Sequence, residues 1–114
     1  MRSFLLALHN DRPVGMIGLE SYAECGLLRS LYVDDASRGL GLGSKLVSAL
    51  EAQVADDGMQ ELWLLTIDAD PFFARHNYEV MQRVDAPTAV QHSAEFSSLC
   101  PGDAVLMCKR LLSG

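Results

Sequence analysis

The sequence predicts an α/β domain, and three observations carry that expectation. A glycine-rich stretch, Arg38-Gly39-Leu40-Gly41-Leu42-Gly43-Ser44, stands between a predicted strand (Leu27 to Val33) and a predicted amphipathic helix (Ser44 to about Ala55). Short apolar runs separated by turn residues precede it, and an apolar run of the buried-strand type, Glu61 to Ile67, follows the helix. A helix with one apolar stripe needs a surface to bury it, and strands on both sides supply a sheet.

The elements follow in order. Phe4 to His9 is a short apolar run that meets the turn signal Asn10-Asp11-Arg12-Pro13, and Val14 to Glu20 resumes the pattern, which predicts an antiparallel hairpin. Gly15 and Gly18 lie inside the second strand, where glycine marks a bulge or a close backbone approach. Ser21 to Gly26 is the expected turn into Leu27 to Val33. In the helix, Leu42, Leu46, Leu50 and Val54 recur every four residues with Val47 beside them, and Lys45, Ser48, Glu51 and Asp56 fall on other faces. Asp57-Gly58 ends it. Leu62-Trp63-Leu64-Leu65 shows no alternation, as expected of a central strand covered on both faces.

After Asp68-Ala69-Asp70-Pro71 a short helix is expected, with Asp70 as its cap and Pro71 in its first turn. Tyr78 to Arg83 is a candidate strand. Ala86 to Leu99 is a predicted helix with Val90, Ala94 and Phe96 facing inward, and Ala104 to Leu111 is a final strand. The 114 residues form one domain with a modest core.

The glycine stretch carries the chemistry. Alternate glycines let the backbone bend and approach a ligand closely, and the N–H groups that open the helix have no partner within it, so a phosphate is the natural guest. The Walker pattern fails, because Lys45 follows Ser44 instead of preceding it. The dinucleotide fingerprint nearly fits from Gly39, with Ser44 in the place of its third glycine and Asp68 as an acid ending the next strand, but Asp34 to Arg38 separate the loop from its strand. The pattern Arg/Gln-x-x-Gly-x-Gly/Ala is met by Arg38, Gly41 and Gly43.

Composition narrows the partners. A formal net charge of −6 argues against nucleic acid or an anionic membrane as the main partner. Three cysteines without CxxC spacing suggest neither a disulfide framework nor a zinc site, and point to a reducing cytoplasm. His9, His76 and His92 have no ligand spacing, so no metal is expected. The run Phe4 to Leu8 is too short for a signal or a membrane span.

With its strand, loop and helix, and with Pro71 to Tyr78 in the place of a short helix ending in Gly-Phe, the chain resembles the GCN5-related N-acetyltransferases (GNAT) from about Phe4 to Leu112. The resemblance implies a mixed, mostly antiparallel twisted sheet with flanking helices. It also implies a single acetyl-CoA-binding domain over residues 1–114, one that begins at the hairpin without the family's usual first strand and helices. Leu28-Arg29-Ser30-Leu31, Leu64-Leu65-Thr66, Phe72-Phe73-Ala74-Arg75, Asn77-Tyr78 and Glu95 to Pro101 are similar to the acetyltransferase branch found with bacterial arsenic-resistance genes.

What the family does implies acetyl-CoA as co-substrate and a small-molecule amine as acceptor. The loop Arg38, Gly39, Leu40, Gly41, Leu42, Gly43 and Ser44 would hold the diphosphate, and Leu31, Tyr32 and Val33 would line the pantetheine arm, with the Leu31 N–H beside the thioester carbonyl. Transfer to an amine needs a proton acceptor and support for an oxyanion. Glu20, ending the strand beside Leu27 to Val33, is the first candidate base and Glu24 the second. The family's tyrosine acid is matched by Phe73, an apolar wall, which leaves Tyr22 and Ser30 as candidate donors; a thiol leaves readily with little help. Arg29 and Arg75 suit an acidic acceptor, and Thr66 and Asp68 end the central strand on the ligand side of an open sheet. Rival readings are a CoA-binding partner subunit without catalysis and half of a dinucleotide-binding domain. An uncovered sheet edge points to a homodimer.

Overall fold

In the computed structural model, residues 2–22, 25–34, 41–93 and 104–111 are described. Strands β1 (Arg2–His9) and β2 (Arg12–Ser21) form the expected hairpin. Its turn is tighter than the sequence suggests: Asn10 and Asp11 alone make it, with φ of 53° and 64°, the left-handed pair that matches the twist of a two-residue hairpin. Arg12 and Pro13 therefore belong to β2, with Pro13 near its start, where a missing N–H is tolerated. Near Gly15, Ala7 pairs with Gly15 and Leu8 with Pro13, so Val14 is an extra, bulged residue.

Strand β3 (Cys25–Val33) runs antiparallel to β2. Ile17 pairs with Leu31 and Leu19 with Leu28, so Arg29 and Ser30 both stand against Gly18. This is a second bulge, and it lies at the glycine that the sequence singled out.

Helix α1 (Leu42–Asp56) follows, then β4 (Glu61–Thr66), α2 (Asp70–Arg75), β5 (Glu79–Met81), the single turn α3 (Thr88–Gln91) and β6 (Val105–Arg110). The sheet order is β1-β2-β3-β4-β6-β5, antiparallel throughout except for β3 beside β4. Helices α1 and α2 cover one face. Leu46, Val47, Leu50 and Val54 of α1 pack there with Ile17, Leu28, Leu62, Leu64, Phe73 and Met107. On the other face Leu27, Trp63, Leu65 and Leu106 pack against Ala86 and Val90. Leu62 to Leu65 are buried as expected of a central strand.

Several boundaries differ from expectation. Leu42 opens α1 half-buried and does not join the core. Ile67 lies beyond β4 and is exposed. Asp70 is the first residue inside α2 and not its cap; Ala69 caps it, and the Ala69 N–H donates to Thr66 Oγ1 at 2.9 Å. β5 is only three residues long because Arg83–Asp85 coil into a 3-10 turn. The helix expected over Ala86 to Leu99 is described only as one turn, with Val90 fully buried as expected; the Ser93 hydroxyl donates to the Val90 carbonyl at 2.6 Å, occupying an acceptor that a continuing helix would need. Ala94 and Phe96 lie outside the described residues. Among the described residues no helix is long and apolar enough to cross a membrane.

Candidate active site

The site begins where the sheet comes apart. β3 and β4 pair over Cys25 to Leu28 and Glu61 to Leu64, and the pairing stops at Leu28 and Leu64. Beyond that point the β3 bulge turns Arg29 to Val33 along β2 instead. The gap is an open cleft of about 420 Å³, lined by Leu28, Arg29 and Leu31 from β3, by Leu64 to Ala69 at the end of β4, and by Phe73.

The start of α1 lies at this end of the sheet. Gly41 has φ 75°, and a Cβ there would meet nothing within 4 Å. A Cβ on Gly43 would lie 3.4 Å from the Phe72 ring and 4.0 Å from Val33 Cγ2, so the first turn is set between β3 and α2. Among the described residues no side chain caps this helix, and its first turn holds no acid. Uncapped N–H donors, open space at Gly41 and the absence of a nearby helix carboxylate fit a diphosphate.

Leu42, Gly43 and Ser44 form that first turn, so the helix starts two residues before the expected Ser44. Ser44 Oγ is 2.9 Å from His76 Nε2, and the His76 ring lies 4.8 Å from that of Phe72. His76 is a contact that sequence reasoning missed, since a histidine at the end of one short helix carries no signal for a serine 32 residues earlier. Arg38, Gly39, Leu40 and Glu24 lie outside the described residues, as does the Ser30 side chain, although Ser30 itself is in β3.

Arg29, which lines the cleft, donates from Nη1 to Glu20 Oε1 at 2.7 Å. The Tyr22 hydroxyl donates to Glu20 Oε2 at 3.5 Å. Desolvation first, and then the Glu20 charge, push the Tyr22 hydroxyl above its ordinary value, so it stays protonated and able to donate. The structure thus brings three sequence candidates into one cluster. Leu31 and Val33 pack on the core at the cleft side, whereas Tyr32 is more than half exposed. Phe73 is buried and lines the cleft. Thr66 lines the cleft, but its hydroxyl already accepts the Ala69 N–H. Arg75 is exposed and sits 6.0 Å from the Phe72 ring centroid, outside the cleft lining.

The model of the acetyltransferase (GNAT) family matches residues 1–81. The chain belongs to the GNAT family. It is 28% identical over 91 residues to an N-acetyltransferase of Chlorobaculum tepidum, an alignment covering 79% of this chain and 58% of that protein's length. A Mycobacterium tuberculosis structure in complex with CoA and a second ligand is 28% identical, with a TM-score of 0.79 and coverage of 96% and 76% of the two chains. The N-acetylglutamate synthase of Neisseria gonorrhoeae, in complex with coenzyme A and N-acetyl-glutamate, has a TM-score of 0.84 at 20% identity; this GNAT chain covers 26% of it, and the likeness is one of fold. The mixed, mostly antiparallel sheet with flanking helices is that of the GNAT proteins.

Proposed function

We propose that this GNAT domain is an N-acetyltransferase that takes acetyl-CoA as co-substrate and a small-molecule amine as acceptor. The observation that carries the reading is the split between β3 and β4, with an uncapped helix start at the same end of the sheet. The CoA-bound relatives support it. When bound, acetyl-CoA supplies the thioester. The chain's own residues do the rest: Arg38 to Ser44 hold the diphosphate, Leu31 to Val33 and Phe73 line the pantetheine arm, and the Leu31 N–H supports the carbonyl oxygen. Glu20 receives the amine's proton, and Tyr22 and Ser30 are the candidate proton donors to the leaving sulfur. Arg29 and Thr66 meet the acceptor.

The resemblance to the arsenic-resistance branch makes amino-acid organoarsenicals part of the acceptor screen. We place the protein in the cytoplasm as a homodimer. Supporting the dimer, β1 ends the sheet and leaves Phe4, Leu6 and Leu8 more than half exposed; a monomeric mass by light scattering would overturn it.

Titration calorimetry of acetyl-CoA into the wild type and into an Arg38→Ala, Gly41→Ala double variant tests the cofactor. Saturable binding that the variant loses is the expected result; equal binding by both would remove the loop from the site. A second reading, a CoA-binding subunit without catalysis, draws support from the Glu20 ion pair and from Phe73, which offers no hydroxyl. Thiol release from acetyl-CoA in the presence of an amine panel separates the two.

A further inference from the structure

Glu20 and Arg29 are nine residues apart in sequence and belong to neighbouring strands, yet they form one unit, of which Arg29 lines the cleft. The contact is 2.7 Å, and the two side chains are 15% and 28% exposed, so water reaches the pair without dissolving it. Tyr22 closes on the second carboxylate oxygen. Arg29 is also a lining residue of the cleft, beside Leu31 and Thr66. The guanidinium occupies Glu20 Oε1, so that oxygen is engaged before any acceptor arrives. The same guanidinium is a planar fork of five N–H donors that matches a second carboxylate, phosphonate or arsonate equally well.

We propose that the Glu20–Arg29 pair is a latch worked by the acceptor, and that the acceptor class is amines bearing their own anionic group. This rests on the acetyltransferase reading above. The acceptor's anion takes the Arg29 guanidinium, the bond to Glu20 Oε1 breaks, and that oxygen, released from Arg29, turns to the acceptor's nitrogen. As the new N–C bond forms and the C–S bond breaks, the nitrogen's proton passes to Glu20 and the bonding pair leaves on sulfur. An uncharged amine has nothing with which to open the latch, so specificity and base activation are one event.

Two measurements test the latch. The first needs no acetyl-CoA: the Arg29 Nε–H resonance is followed by NMR while L-glutamate, 2-aminoethylphosphonate, 4-aminobutyrate and, as the uncharged control, 4-aminobutanamide are added. At least one anionic amine is expected to shift it saturably, and 4-aminobutanamide is not. The second compares kcat/KM for the best anionic amine and for 4-aminobutanamide in wild type, Arg29→Met and Glu20→Gln. Wild type is expected to prefer the anionic amine at least tenfold. Arg29→Met should raise KM for the anionic amine and raise turnover of 4-aminobutanamide severalfold, because Arg29 no longer occupies Glu20 Oε1; Glu20→Gln should lower kcat for both.

A resonance unmoved by every anionic amine, or no gain of neutral-amine turnover in Arg29→Met, overturns the latch. A simple anion-binding arginine would give the first effect without the second. Calorimetric binding of acetyl-CoA runs alongside, and its absence would count against the acetyltransferase reading while leaving the NMR result to judge the latch.

Discussion

Gly26 holds together the only parallel seam among the described strands. A Cβ there would lie 2.8 Å from Leu19 Cδ1, 2.9 Å from Leu62 Cδ2 and 3.1 Å from Met59 Sδ, all within the packed core. Gly26→Ala is expected to destabilise the fold by about 1–3 kcal/mol through overpacking, read from denaturant melts as a lower midpoint at unchanged slope. Cys108, half-buried beside Glu61, is a second informative residue. Burial and then the Glu61 charge push its thiol from 9.0 up to about 12. The folded chain therefore binds more protons than the unfolded chain between those values, and stability falls as pH rises through that window. Thermal melts between pH 8 and 11 should show the fall, and Cys108→Ser should make it shallower. Tyr78, raised by burial and by Glu51, adds in the same direction above its ordinary value of 10.0. Neither environment was legible in the sequence, since both depend on which strand lies next to which. The ion pair of Glu20 and Arg29 was hidden for the same reason. Each was a candidate by itself, but their meeting depends on a bulge that shifts the β2–β3 register by one residue.

Elements were legible where one physical signal dominated. The four-residue recurrence of Leu46, Leu50 and Val54 fixed which face of α1 is buried, and all three are within 5% of full burial. Leu50→Ala is expected to cost roughly 2–5 kcal/mol, measured as a shift in the denaturant midpoint, because the cavity would open at the centre of the main core. Legibility failed where short-range chemistry competes with pattern. Periodicity over Ala86 to Leu99 reads as a long helix, whereas the described part is one turn, Thr88–Gln91, after which the Ser93 hydroxyl donates to the Val90 carbonyl. Asp70 reads as a cap, yet the hydroxyl of Thr66, four residues earlier, does the local work of fixing the entry to α2. The glycine loop reads as an anion site from its spacing. What it could not reveal is the Ser44 to His76 contact that joins the first turn of α1 to the end of α2.

At the scale of the whole molecule, the sheet is two antiparallel halves, β1-β2-β3 and β4-β6-β5, joined by four residue pairs. The short seam ends where the cleft begins, so part of the inner edge of each half is left, among the described residues, without a neighbouring strand. An extended ligand arm laid in that gap would stand in for the missing rungs, and the molecule would finish its own sheet only when loaded. Binding energy and folding energy then become the same quantity over Arg29 to Val33 and Leu65 to Thr66. Those amides should exchange with deuterium far more slowly when acetyl-CoA is present, while amides in the β1–β2 hairpin should change little.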